Sequence, residues 1–267
     1  MAASGKTTKQ NRYANLVAHI FARGYKKGLR EFSFSREDIV AAASKLGIVL
    51  PKNLGDVIYS FRYRNDFPEA ITSTQPKNYE WIILGSGRGE YIFKLTRLNR
   101  IVPRENLITI KIPDATPEII GAYAQSDEQA LLAKVRYNRL IDIFLGVAAF
   151  SLQNHLRTTV AAIGQIEVDE IYVALDKSGR QYVIPVQAKG GHDKHGVVQT
   201  SQDIACCKEK FPDLICRPVS VQFMDNSEIA MFELIENNGE IKVVDEKHYQ
   251  LVPSKDITSK ELMLYRR

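Results

Sequence analysis

The chain has 267 residues, with 45% hydrophobic residues, 25% charged residues and a formal net charge of +5, a composition typical of one or two globular domains. No apolar run approaches the roughly 20 residues of a membrane span, and the first dozen residues lack the apolar stretch of a secretory signal. The three cysteines, Cys206, Cys207 and Cys216, include no CxxC pair. Their pattern argues against a disulfide framework or a zinc site and favours reduced thiols in a cytoplasmic protein.

The charge is unevenly distributed along the chain. Residues 1–100 contain 17 Lys and Arg against 8 Asp and Glu, a net charge of +9, whereas residues 101–267 have a net charge of −4. Such an asymmetry predicts a polyanion-binding module attached to a second part of the chain. The alternative is a basic surface without a nucleic-acid partner.

The first hundred residues predict an alternation of helices and strands. A helix over 10–24 ends at Gly24, a short strand follows, and Ser35 is a suitable N-cap for a second helix that ends near Gly47. Asn53 can cap a third helix. Two apolar strands then flank the glycine-rich sequence "GSGRG", which contains Arg88.

This order of elements, over about residues 8–97, resembles the winged helix-turn-helix family. The resemblance implies that the third helix enters the major groove of DNA and that the loop around Arg88 contacts the backbone. Winged helices also bind proteins or only pack, and that alternative stays open. Arg suits guanine and Lys suits phosphate, so the residues expected to contact DNA are Lys52, Asn53, Tyr59, Arg62, Arg64 and Arg88.

We place a domain boundary near residue 103, with a winged-helix DNA-binding domain over 1–103 and a second domain over 104–267. The second part predicts helices over 126–146 and 147–164, the latter with His155 and Arg157 on its surface, where they could contact phosphate. A hairpin, a loop with His192 and His195, a helix and further strands follow. The expected fold is α/β, a mixed sheet flanked by helices, and the alternating residues 106–112 could add a strand.

The hairpin over 167–189 contains polar residues within otherwise apolar strands. Its turn "DKSGR" places Gly179 at the left-handed position, so that Asp176 faces Arg180 and Asp169 faces Gln187. Because side chains alternate between the faces of a strand, we expect a set of polar side chains to converge at the open end of the hairpin. The members of this set are Glu167, Asp169, Gln187 and Lys189.

Carboxylate and amide oxygens suit Mg²⁺, and a metal beside a lysine can act on a phosphodiester. An ordinary salt bridge between Asp169 and Lys189 on a solvated strand is the alternative interpretation.

The acid on one strand and the sequence Gln187-Ala188-Lys189 on the next resemble the PD-(D/E)xK nuclease superfamily, which has the restriction-endonuclease-like fold. The resemblance covers about residues 125–235, and Gln199 and Gln202 lie in the helix expected after the motif. It implies that Asp169, Gln187 and the backbone carbonyl of Ala188 hold Mg²⁺, while Lys189 orients or deprotonates the attacking water.

Gln187 departs from this pattern, because the superfamily usually has Asp or Glu there. Glutamine can still bind a metal through its amide oxygen, but it removes one negative charge. Glu167 could restore that charge by face alternation, or Glu170 if a bulge turns it inward.

The sequence therefore predicts a Mg²⁺-dependent endonuclease for double-stranded DNA, most similar to a type II restriction enzyme, and palindromic cutting would favour a homodimer. One alternative is a winged-helix regulator with an inactive nuclease fold. A repair or structure-specific nuclease is another.

Overall fold

The computed structural model describes residues 7–63, 65–123, 128–161, 163–190, 193, 195–224 and 227–266, with the backbone alone for 7–12. Arg64, Ser126, His192 and Lys194 lie outside these residues. Within them, none of the helices is both long and apolar enough to cross a membrane.

The chain divides into two compact units. The first contains residues 1–99 together with 159–165, and the second contains residues 100–158 and 166–267. The segment 159–165 belongs to the first unit. It lies at the turn of a hairpin, and most of the two strands of that hairpin belong to the second unit.

The first unit has the predicted order of elements, with one additional short helix. Its elements are α1 (Thr7–Gly24), β1 (Glu31–Ser35), α2 (Arg36–Leu46), α3 (Gly55–Tyr63), α4 (Glu69–Thr72), β2 (Glu80–Gly87) and β3 (Glu90–Thr96).

Local capping explains where α2 begins and ends. The Ser35 hydroxyl accepts a hydrogen bond from the Asp38 N–H, and the Asp38 carboxylate accepts one from the Ser35 N–H, which forms a capping box. Gly47 ends the helix with φ of 63°, a conformation that glycine adopts without strain. These features confirm the predicted helix start and stop.

The three strands of this unit form an antiparallel sheet in the order β1-β3-β2. Apolar side chains of α1, α2 and α3 pack on it, and Trp81 and Phe93 are among its fully buried residues. The Arg36 N–H donates to the Gly89 carbonyl, so the β2–β3 turn that carries Arg88 is attached to the start of α2.

The second unit contains a large mixed sheet with helices. Its helices are α5 (Glu118–Tyr123), α6 (Glu128–Tyr137), α7 (Leu140–Leu145), α8 (Val197–Lys210) and α9 (Ser259–Leu264), with a 3-10 turn at Ser254–Asp256. Its strands are β4 (Arg100–Ile101), β5 (Thr109–Pro113), β6 (Ala148–Val160), β7 (Gly164–Leu175), β8 (Gln181–Lys189), β9 (His195–Gly196), β10 (Ile215–Cys216), β11 (Val219–Phe223), β12 (Glu228–Asn237) and β13 (Glu240–Val252).

Among the described residues, eight strands form this sheet in the order β5-β13-β12-β11-β8-β7-β6, with β10 paired to β8. The pairs β8–β11, β8–β10 and β13–β5 are parallel, whereas β7–β8, β11–β12 and β12–β13 are antiparallel. Leu131, Leu132 and Val135 of α6 pack on one face with Ile184 and Val186 of β8. The mixed sheet flanked by helices is therefore confirmed at the level of fold class.

One predicted helix is wrong, and another is interrupted. Residues 148–160 form strand β6 and not a helix. Ser151 contacts Glu170 of β7, and Arg157 contacts Glu167 of the same strand. Contacts between strands of this kind do not show in a local helical pattern. His155 and Arg157 therefore lie on a strand. The predicted helix over 126–146 is broken after α6, because the buried Asn138 side chain donates to the Lys134 carbonyl and Arg139 adopts φ of 50°.

Candidate active site

The hairpin β7–β8 has the predicted turn and register. The Asp176 N–H donates to the Arg180 carbonyl over 3.1 Å, and Gly179 has φ of 77°. Pairing runs from Leu175 opposite Gln181 to Glu170 opposite Val186. The next positions along the two strands are Asp169 and Gln187, at the open end of the hairpin.

Asp169 is attached to the second strand through its carboxylate. Its Oδ2 accepts a hydrogen bond of 2.9 Å from the backbone N–H of Ala188. Burial raises the pKa of Asp169, and the carboxylates of Glu128 and Glu167 act in the same direction, while the Ala188 N–H and Lys189 oppose them. Asp169 thus lies where negative charge accumulates.

Lys189 lies close to a carboxylate that the sequence interpretation did not include. Its Nζ is 3.9 Å from Oε1 of Glu128, the first residue of α6, and the Lys189 side chain is only 18% exposed. Glu128 lies near the start of the helix predicted over 126–146 and has no role in the sequence-based interpretation of the hairpin. Its place near the hairpin follows from the packing of α6 on β8, which no local pattern reveals.

Gln187 is buried, and both ends of its amide have a hydrogen-bond partner. Its Nε2 donates to Asp203 Oδ1 and to the Glu167 carbonyl, each over 3.2 Å, and its Oε1 accepts from Gln199 Nε2 over 3.5 Å. Asp203 is buried in α8, and burial raises its pKa well above the ordinary value. Sequence reasoning missed Asp203, although its spacing of four residues from Gln199 puts both on one helix face.

The two glutamates considered as substitutes for a missing acid have other partners. The Glu167 carboxylate is 3.1 Å from Arg157 Nε and 3.4 Å from His155 Nδ1, both on β6. Burial pushes the pKa of Glu167 up, but hydrogen bonds from Arg157 and His155 outweigh it and hold the pKa below its ordinary value. The side chain of Glu167 is therefore directed to β6.

Glu170 is fully buried and accepts from Arg136 Nε over 2.9 Å and from Ser151 Oγ over 2.6 Å. It faces α6 together with Val186, whereas Gln187 faces α8. The register of β7 on β8 is regular at Glu170, so the bulge that would have turned Glu170 towards Asp169 is not found there.

Asp193 and His195 lie in the segment after β8. Asp193 is exposed, and its backbone carbonyl accepts a hydrogen bond from Gln222 Nε2. His195 is buried, with Nε2 2.8 Å from the Thr200 hydroxyl. His195 therefore packs inside the second unit.

The residues predicted to contact DNA differ in their surroundings. Lys52, Tyr59 and Arg88 are exposed in the first unit, and the Tyr59 ring lies 4.7 Å from that of Tyr63. Asn53 caps α3, because its Oδ1 accepts from the Gly55 N–H and its Nδ2 donates to Asp56. Arg64 lies outside the described residues.

Arg62 is turned into the first unit. Its Nε donates to the Ile83 carbonyl over 3.0 Å, its guanidinium lies 5.5 Å from the centre of the Tyr91 ring, and burial lowers its pKa. A guanidinium in this position attaches α3 to β2. The expected contact of Arg62 with a base edge is therefore not compatible with this conformation.

The donor set at the open end of the hairpin suits one class of metal. Mg²⁺ binds through one or two carboxylates, keeps several waters and prefers oxygen ligands. Asp169 and Glu128 supply such carboxylates and Gln187 an amide oxygen, although within the described part of the chain no three His, Cys, Asp or Glu side chains form a metal cluster. This arrangement fits a Mg²⁺ ion that keeps several of its waters, and not an ion bound by protein ligands alone. Ligation by the backbone carbonyl of Ala188 stays a prediction.

Comparisons of the chain with protein-family models, with curated proteins and with solved structures found no match. The likeness to winged helices and to PD-(D/E)xK nucleases therefore stays a resemblance, carried by the residues described above.

Proposed function

We propose that the chain is a Mg²⁺-dependent endonuclease for double-stranded DNA, of the type II restriction class. The observation that carries the proposal is the meeting of Asp169, Lys189 and Glu128 at the open end of the β7–β8 hairpin. Two carboxylates beside a lysine can hold a metal ion and position water against a phosphodiester. The net charge of +9 in residues 1–100 supports duplex DNA as the partner.

Each residue has a distinct role in this proposal. Asp169 and Glu128 would hold the metal with the Gln187 amide oxygen, and bound Mg²⁺ would stabilise the negative charge that develops on the phosphate. Lys189, one residue beyond the Ala188 N–H that holds Asp169, would orient the attacking water and accept or share its proton. Water adds to phosphorus and gives up a proton, to Lys189 or to solvent, while the P–O bond opposite to it breaks and the departing oxygen is protonated by solvent.

Cleavage of supercoiled plasmid with and without EDTA tests the proposal. We expect Asp169→Ala and Lys189→Ala to lower the cleavage rate by at least about 100-fold, the usual size of an acid–base contribution. DNA affinity, measured by fluorescence anisotropy, should stay within a few-fold of wild type. Lys177→Ala, in the exposed turn of the same hairpin, is the matched control and should cleave as wild type does.

Equal cleavage by wild type and both variants would overturn the proposal. Discrete bands from plasmid DNA would support restriction, and a preference for branched or flapped substrates would support a repair nuclease. Cutting of palindromic sites would also agree with the proposed homodimer.

One observation favours a second function, a winged-helix DNA-binding regulator with an inactive nuclease fold. Gln187 stands where an acid is expected, and its amide is occupied by Asp203, Glu167 and Gln199. DNA binding without EDTA-sensitive cleavage would identify this function.

A further inference from the structure

The orientation of the Gln187 amide is set by its neighbours. An amide NH₂ group has two donor hydrogens, and two acceptors lie 3.2 Å from the Gln187 nitrogen: Asp203 Oδ1 and the Glu167 carbonyl. If the amide were reversed, its oxygen would face the Glu167 carbonyl oxygen with no hydrogen between them. The amide oxygen of Gln187 therefore lies on the side of Gln199. Gln199 Nε2 donates to it over 3.5 Å, a longer distance than the two contacts of the amide nitrogen.

Of the two acceptors, only Asp203 is a side chain. It is 2% exposed, and its contact with Gln187 is a buried hydrogen bond between side chains. A buried polar group that loses its partner costs free energy, so removal of Asp203 would leave one amide hydrogen of Gln187 unsatisfied or let the amide turn.

We propose that Asp203 is a positioning residue, which holds Gln187 with its nitrogen engaged and its oxygen available as a ligand. The use of that oxygen by a metal rests on the proposed nuclease function, whereas the hold of Asp203 on the amide does not. Second-layer partners of metal ligands are known to orient them in this way.

The pairing also explains why a glutamine stands at position 187. An acid there would place a second carboxyl group against that of Asp203 in a buried site, where the two cannot both ionise without a cost in free energy, and it would supply no pair of donor hydrogens for Asp203 and the Glu167 carbonyl. The amide supplies the two hydrogens that these acceptors need. The departure from the superfamily pattern at Gln187 is thus matched by Asp203 on α8.

A double-mutant cycle tests whether Asp203 acts through Gln187. The variants are Asp203→Ala, Gln187→Leu and the double variant, with unfolding in urea as the first readout and Mg²⁺ affinity by titration calorimetry without DNA as the second. We expect the two single changes to be non-additive in the unfolding midpoint, because they remove the same hydrogen bond. Additive shifts would overturn the proposal.

In the metal titration, Asp203→Ala should weaken Mg²⁺ binding by about 10-fold, as is usual when such a partner is lost. Asp203→Asn keeps an acceptor oxygen and should stay within about twofold of wild type. If Asp203→Ala does not fold, Asp203→Leu, which also lacks an acceptor, takes its place with the same expected loss. Glu209→Gln, an acidic residue of the same helix that pairs with Lys210, is the control and should change neither readout.

The two proposals fail in different ways. If wild type binds no Mg²⁺ and does not cleave DNA, the nuclease function is overturned, while the unfolding cycle still decides whether Asp203 holds Gln187. If wild type binds Mg²⁺ and Asp203→Ala binds it equally well, the nuclease function stands and the positioning role is overturned.

Discussion

Several polar residues of the second unit are each held by a specific partner. Asp203 and Gln187 share a hydrogen bond, Asp169 is held by a backbone N–H, and His195 is paired with Thr200. The sequence predicted the strand positions, because alternation places Asp169, Gln187 and Lys189 on one face. It could not predict Asp203 or Glu128 as neighbours, because they come from helices whose packing depends on the whole sheet.

His195 provides a test at this scale. Burial, with a smaller contribution from Lys189, lowers its pKa to about 3, whereas an unfolded chain has the ordinary value of about 6.5. Between these values the unfolded chain binds the additional proton, so the free energy of unfolding must fall as the pH falls from about 6.5 towards 3. The same group contributes almost no pH dependence above pH 7.

We therefore expect the wild-type protein to lose about 2 kcal/mol more stability than His195→Gln between pH 7 and pH 5. Urea unfolding at the two pH values measures the difference. Equal losses in the two proteins would show that His195 is accessible to protons in the folded state.

At the scale of elements, prediction succeeded where local signals decide the structure. The capping box at Ser35, the glycine at 47 and the turn at Gly179 each depend on a few adjacent residues. Strand β6 was mispredicted because its contacts with β7 span 10 to 19 residues, beyond the range of a helical pattern. The break between α6 and α7 depends on Asn138, whose side chain also bonds Ala115 and Thr116.

Strand β6 also contains His155 with φ of 49°, a left-handed conformation that disfavours β-branched residues. We expect His155→Val to be less stable than His155→Gly by about 1–2 kcal/mol, because both lose the contact with Glu167 and only valine is strained by this conformation. Urea unfolding of the two variants measures the difference. Equal stability would mean that the strand accommodates valine by another backbone conformation.

At the scale of the whole molecule, the basic charge belongs to one part of the chain and the candidate active site to the other. Residues 1–100 have a net charge of +9, while Asp169 and Lys189 lie in the second unit. Charge counting along the sequence predicted this asymmetry, since it needs no three-dimensional information. The exposure of each basic side chain could only be read from the structure. Arg62, for example, is turned into the first unit.

The salt dependence of DNA binding tests the assignment of this charge. If Lys52 and Arg88 each contact a phosphate, Lys52→Ala and Arg88→Ala should each reduce the slope of log K against log salt by about 1. Lys242→Ala, exposed in the second unit, should leave the slope unchanged. Fluorescence anisotropy over a series of KCl concentrations measures the slopes, and unchanged slopes in the first two variants would remove these residues from the interface.

The short segment 159–165 has a practical consequence for anyone who wishes to study the basic part in isolation. Within the first unit, a side chain added at Gly85 would meet the Ile163 carbonyl at 2.9 Å, so that backbone lies directly against β2. A recombinant fragment that stops at residue 99 would lack the segment 159–165, because this segment follows about sixty residues later in the chain. We expect such a fragment to be less stable than the same residues in the intact polypeptide, and limited proteolysis between the units would not release a complete N-terminal body.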